Sequence, residues 1–147
     1  MKISTMLRYG VRMVVTLAQK GELMSTASLA KEMGVSPLYL RQLARPLEKR
    51  GIIKGFRGAK GGYILNVRAG EITIFEVIRA FDEDFSLLDC IKIANSCSQS
   101  PACASRYLWK QLSDALRNIV RGMTLQELVE NGNKKDTGET EGEEYVI

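Results

Sequence analysis

The sequence predicts a mainly α fold interrupted by one small β-hairpin, and three observations carry that expectation. Apolar residues recur at helical spacing from Leu7 to Leu47 and again from Leu108 to Met123. Between these stretches, residues 52–65 place two short β-prone runs on either side of a glycine-rich tip. Helix-start chemistry recurs at Ser36-Pro37 and in two capping boxes, Thr73-Ile-Phe-Glu76 and Thr124-Leu-Gln-Glu127.

The 147 residues suffice for one well-cored domain, or a small domain with a helical arm, and 45% apolar content reads as globular. No apolar run approaches the roughly 18 residues of a membrane span, and the N-terminus lacks the apolar region of a signal peptide. The expectation is a soluble, cytoplasmic protein with no membrane partner. The net charge of +4 hides a division: residues 1–68 carry 13 Lys/Arg against 3 acids, residues 69–131 carry 6 against 9, and residues 132–147 carry 2 against 5. Positive charge gathered in one half predicts an anionic partner, nucleic acid above all. The chain has no histidine, which removes the commonest general base and a frequent metal ligand. With no nucleophile–base pair either, no active site can be assembled, so an enzyme is not expected.

In order, residues 5–20 form a helix with Leu7, Val11, Val14, Val15 and Ala18 turned inward and Gly21 as its stop. A short helix opens at Ser25 or Thr26, buries Leu29, Ala30 and Met33, and breaks at Gly34, where a positive φ costs least. Ser36 then caps a second helix with Pro37 at its first position and Leu40, Leu43, Ala44 and Leu47 on one face. Ala30 and Gly34 let the two helices cross closely, as in helix-turn-helix units. Ser36, Tyr39, Arg41, Gln42 and Arg45 occupy the polar face, mostly in the half of a recognition helix that meets base edges. Arginine suits guanine there, and glutamine suits adenine. Pro46 removes a backbone bond, so a kink or an early helix end is expected.

Residues 52–65 follow directly and read as the wing of a winged helix-turn-helix. Arg57 and Lys60 can reach phosphate or the minor groove, while Gly58, Gly61 and Gly62 allow close backbone approach. Neither G-x-x-x-x-G-K-[ST] nor G-x-G-x-x-G is present, against a nucleotide-binding loop. After the Arg68-Ala-Gly-Glu71 linker, Thr73 opens a helix to about Phe81 with Phe75, Val77, Ile78 and Phe81 as core candidates. An acidic cluster, Asp82-Glu-Asp84, precedes the cysteines. These are Cys90, Cys97 and Cys103, spaced C-x6-C-x5-C in a loop-like run. Clustered thiolates suit a soft metal, an iron–sulfur cluster or a redox switch. C-x2-C pairs are absent, which argues against structural zinc. Leu108, Leu112, Ala115 and Ile119, with Leu116 and Met123 beside them, then mark a long helix whose stripe reads as a dimer seam. Thr124 starts a last short helix to about Val129. The organisation expected is thus a winged helix-turn-helix DNA-binding domain over 1–68, a sensor loop and dimerisation helices over 69–131, and an acidic disordered tail over 132–147.

Several of these residues resemble Rrf2-type winged-helix regulators. The likeness lies in Met1-Lys-Ile-Ser-Thr with Arg8-Tyr9-Gly-Val, in Leu29-Ala-Lys-Glu with Gly34-Val-Ser-Pro-Leu-Tyr-Leu-Arg-Gln-Leu, and in Arg57-Gly-Ala-Lys-Gly-Gly-Tyr63. It continues through Glu76-Val-Ile, the cysteine loop, Leu108-Trp109 and Thr124-Leu-Gln-Glu-Leu, and is strongest to the iron–sulfur cluster regulator subgroup. The resemblance implies a homodimeric transcription regulator, a repressor, bound to double-stranded operator DNA through residues 36–45 and 57–62. It also implies that Cys90, Cys97 and Cys103 ligate the iron of a cluster, 2Fe–2S in preference to 4Fe–4S, that reports cluster supply, redox state or nitric oxide. Where one branch of the subgroup has a fourth ligand, a histidine three positions after the third cysteine, this chain has Arg106, and its first helix offers no carboxylate or histidine either. Asp89, Asp84, Ser96, Ser105, water or a small thiol remain as candidates, with Asp89 favoured because it adjoins Cys90. The alternative is a cluster-free regulator whose cysteines form a thiol switch or which answers to a partner protein.

Overall fold

Serine hydroxyls set the starts of the first three helices. Ser4, Ser25 and Ser36 stand at the N-caps of α1 (Thr5–Lys20), α2 (Thr26–Met33) and α3 (Pro37–Lys49), and each accepts from the backbone N–H three residues on. Gly21 and Gly34 close α1 and α2 in the left-handed region, at φ 67° and 66°. This computed structural model describes residues 3–135. Beyond α3 come the antiparallel strands β1 (Ile53–Phe56) and β2 (Gly62–Leu65), then α4 (Ile74–Ala80), α5 (Asp89–Lys92), α6 (Ala104–Gly122) and α7 (Leu125–Lys135).

The helix-turn-helix and wing follow the expected order. In the hairpin Ile53 faces Leu65 and Phe56 faces Gly62. Met24 adds one rung, exchanging backbone bonds of 3.0 and 2.9 Å with Tyr63. That rung explains Gly62: a Cβ there would lie 1.9 Å from the Met24 carbonyl oxygen.

Four local expectations are corrected. Pro46 neither ends nor shortens α3, which runs on to Lys49; its neighbours Leu43, Ala44 and Leu47 are fully buried, and that packing holds the helix across the missing bond. The buried face of α1 is centred on Leu7, Gly10, Met13, Val14 and Leu17, leaving Val11, Val15 and Ala18 only partly covered. The reason is tertiary: α1 is packed by α2, α3, α4, α7 and β2, so more than one stripe is covered. In α4 the inward residues are Ile74, Val77, Ile78 and Ala80, while Phe75 is half-exposed beneath the Arg121 guanidinium, 4.5 Å from its ring centroid. Finally, α7 passes Val129 and continues to Lys135; residues 136–147 of the expected tail lie outside the described residues.

One core takes residues from both sides of position 68, from Leu17 and Leu43 to Val77 and Leu125. The two capping boxes meet there. Thr73 and Thr124 pair across an isolated antiparallel bridge, with Ile74 N–H donating to Met123 O (2.9 Å) and Leu125 N–H to Ile72 O (2.8 Å). Residues 81–123, with the cysteines and α6, therefore run between the end of α4 and this pinned point, touching the core through Phe81, Phe85, Val120 and Met123.

Candidate DNA interface and cysteine loop

Burial of Leu40, Leu43, Ala44 and Leu47 fixes the rotation of α3 and leaves Ser36, Arg41, Gln42 and Arg45 exposed. The Ser36 hydroxyl oxygen is occupied as the cap. Tyr39 is half-buried, its ring edge-on to Tyr9 at 5.8 Å, and Arg12 lies 5.1 Å above the Tyr9 ring. This relay extends the basic surface from α3 onto α1, a link between distant residues that helical periodicity does not reveal.

The expected wing residues divide. Arg57, Gly58 and Lys60 are exposed at the tip, Gly61 is half-buried with its missing Cβ 2.2 Å from Phe56 O, and Gly62 is buried against Met24. Between the wing, α3 and the start of α2 lies an open groove of about 610 Å³, lined by Ser25, Thr26, Arg41, Arg45, Glu48 and Arg57 among others. Its three arginines form no ion pair among the described residues, and against them the lining sets a single carboxylate, Glu48, so the groove is net positive. Tyr63 stands on the groove wall. Burial pushes its hydroxyl up, the Glu48 carboxylate adds to this, and Arg41 and Arg45 pull the other way, leaving it above the usual tyrosine value. From the sequence Glu48 was not singled out and Tyr63 was named only as the end of the wing motif; the two share the groove because β1 and β2 fold back onto α3. Gln42 lines a second cleft, about 370 Å³, with Arg45, Phe81 and Asp82.

The three cysteines are free thiols: Cys90 in α5 and Cys103 at the N-cap of α6 are half-buried, and Cys97 is exposed. Cys103 Sγ lies 3.1 Å from Ser105 Oγ. That side-chain bond, joined by the Arg106 backbone N–H, outweighs desolvation and holds the thiol below its ordinary value. Arg106 donates from Nε to the Cys90 carbonyl at 3.3 Å and so ties α5 to α6. The donor chemistry suits an iron–sulfur group, since three thiolates are soft ligands. The arrangement is not assembled: among the described residues no three Cys, Asp or Glu side chains converge as a metal-holding set. Asp89 is exposed on the first turn of α5.

α6 carries its apolar stripe outward. Leu108, Leu112 and Ile119 are 50, 43 and 58% exposed, and Ser113 is the helix's one buried residue. Among the described residues, no helix is long and apolar enough to cross a membrane.

The model of the Rrf2 family, described as an iron-dependent transcriptional regulator, matches residues 3–131. Among curated proteins, the HTH-type transcriptional regulator IscR of Cronobacter sakazakii is 33% identical over 146 residues, covering 98% of this chain and 90% of that protein. Among solved structures, CymR, the global cysteine regulator of B. subtilis, superposes with a TM-score of 0.74 at 32% identity, over 89% of this chain and 98% of that one. IscR of T. potens superposes with a TM-score of 0.69 at 27% identity, over 98% of this chain and 93% of that one.

Proposed function

The chain belongs to the Rrf2 family of transcriptional regulators, and from that premise we propose that it binds double-stranded operator DNA as a homodimer, acts as a repressor, and is governed by its cysteine loop. The observation that carries the DNA reading is the groove in which Arg41, Arg45 and Arg57 converge, none of them ion-paired, against the single carboxylate of Glu48. Ser36, Tyr39, Arg41, Gln42 and Arg45 meet base edges and nearby phosphates. Arg57, Gly58 and Lys60 meet backbone or minor groove, and Gly61 and Gly62 shape the wing that carries them. The exposed stripe of α6 supports pairing with a second copy, which doubles the contacts and fixes half-site spacing.

In this reading Cys90, Cys97 and Cys103 hold the iron of an iron–sulfur cluster, 2Fe–2S in preference to 4Fe–4S. Bound there, it supplies a group sensitive to redox state and nitric oxide. Arg106 cannot serve as a fourth ligand, because its guanidinium stays protonated; it already joins Cys90 to α6. Asp89 is the nearest carboxylate in sequence.

Anaerobic purification with iron and sulfide counts, followed by duplex titration over a range of salt, tests the proposal. Stoichiometric iron and sulfide with duplex affinity that depends on sequence are expected. Protein that is colourless and iron-free yet still binds in a thiol-dependent way would transfer the sensing role to a thiol switch. Affinity indifferent to sequence at fixed salt would remove the operator reading.

A further inference from the structure

Residues 81–88 touch both the DNA head and the sensor half, through contacts that the proposed function does not use. At their start, the Phe81 ring rests on Gly10 of α1 so closely that a Cβ on Gly10 would lie 2.2 Å from it. Next, the Ser4 hydroxyl, the N-cap of α1, donates to Glu83. Ser86 N–H closes a turn on Asp84 Oδ1 at 2.8 Å. Desolvation pushes the Asp84 carboxyl up, but that bond, with Lys92 and Arg117, holds it below the ordinary value.

The far end of the segment is fastened to α6. Leu87 N–H donates to Ser113 Oγ at 3.1 Å, and Ser113 donates onward to Trp109 O at 2.8 Å, so a fully buried hydroxyl is satisfied on both sides. Arg117 adds a bond to Ser86 Oγ at 3.3 Å. The one buried side chain of α6 thus exists to grip this segment.

Asp82 lies at the head end. Its φ of 56° is in the left-handed region, which few non-glycine residues occupy, and its side chain is exposed in the cleft shared with Gln42 and Arg45. Arg45 also lines the wing groove with Glu48. It therefore stands between carboxylates on two sides, Glu48 from its own helix and Asp82 from the segment held by α6. Arg45 is ion-paired with neither, so its direction is poised.

We propose that Phe81–Leu88 is the linkage through which the cysteine loop and α6 act on DNA, and that Asp82 is its positioning residue, drawing Arg45 away from the duplex. The linkage rests on the reading that the head binds operator DNA and the cysteine loop senses. It runs within one subunit, and differs from any effect of α6 on the spacing of two heads.

Two measurements on the full chain separate the linkage from that reading, using a duplex that the protein selects from a random pool. With thiols free and salt low, Asp82→Asn is expected to tighten binding roughly two- to fivefold, the scale of an exposed ion pair. That gain should vanish when Arg45 is already glutamine. An equal gain in the Arg45→Gln background would make Asp82 a general repulsive charge and overturn the positioning role. In the second, all thiols are capped with iodoacetamide and the change in affinity is compared between wild type and Ser86→Ala, with circular dichroism confirming that both are folded. The linkage expects the response of Ser86→Ala to fall to half or less of the wild-type response. An undiminished response overturns the linkage and leaves the regulator intact. Failure of the wild type to bind any duplex, or to respond to capping at all, instead removes the functional reading and the linkage with it.

Discussion

The head and α6 use apolar residues in opposite ways. In α3, Leu40, Leu43 and Leu47 are all fully buried, and the helix turns its polar side chains to solvent together with Pro37 and Leu38 of its first turn. In α6 the residues of equivalent character, Leu108, Leu112 and Ile119, lie outside, and the buried position holds a serine. The head completes its core within one chain. α6 is held to its own chain by polar contacts at Ser113 and Arg117, by Val120 against the core and by Arg121 over Phe75, while its apolar stripe stays exposed. Under the proposed pairing, stability and assembly fall to different helices.

The most severe way to break this contrast is in the head. Leu43→Ala is expected to lower unfolding stability by about 2–5 kcal/mol, the usual cost of a cavity in a packed core. Leu112→Ala should cost less than about 1 kcal/mol in the monomer, since its surroundings are open. Urea unfolding at low protein concentration measures both; similar losses would erase the distinction.

Charging the stripe attacks the other side. Leu112→Glu with Ile119→Glu is expected to leave the head folded and give a monomer in sedimentation. Affinity for a two-half-site duplex should fall on the order of 100-fold as the second binding event is lost. A dimer that survives both charges would place the seam elsewhere. Within the head, Arg41→Ala should weaken operator binding by about 1–3 kcal/mol and relax sequence preference, whereas Arg57→Ala should weaken all duplexes alike and reduce the salt slope by about 1. Anisotropy titrations at several salt concentrations distinguish the two outcomes.

The same contrast explains what could be read from the chain. Ser36, Pro37 and Gly34 act on their own neighbours, so the helix-turn-helix was legible, as were both capping boxes and the α6 stripe. Pro46 misled because its local penalty is overcome by packing from other elements. The covered face of α1 was misplaced for a related reason: five elements press on it, and periodicity finds only the strongest stripe. In the site, Arg41, Arg45 and Arg57 were visible as basic residues at the right spacing. Tyr9, Tyr63 and Asp82 were named only in motifs or a charge cluster and Glu48 not at all, because their places beside the arginines depend on fold-backs between segments far apart in sequence. The cysteines showed their chemistry in the sequence but not their separation, which depends on how α5 and the following turn are laid against α6.

The smallest expected effect concerns Cys103 in protein with free thiols. The Ser105 hydroxyl holds its pKa below the ordinary thiol value, so at any pH beneath that value more of the thiol is ionised than it would be without the bond. The thiolate is the form that reacts. Ser105→Ala should therefore slow iodoacetamide labelling of Cys103 several-fold near neutral pH, and the two proteins should converge as pH rises above both thiol values. Because the folded pKa is depressed, the accompanying stabilisation is present above the unfolded thiol's value and is lost as pH falls through the folded one. Solvent screening at this half-buried site keeps that contribution small, so labelling rates followed by peptide mass analysis are the sensitive readout. Equal rates across the pH range would mean that the hydroxyl donates elsewhere, and that the α6 N-terminus alone sets the reactivity of this thiol.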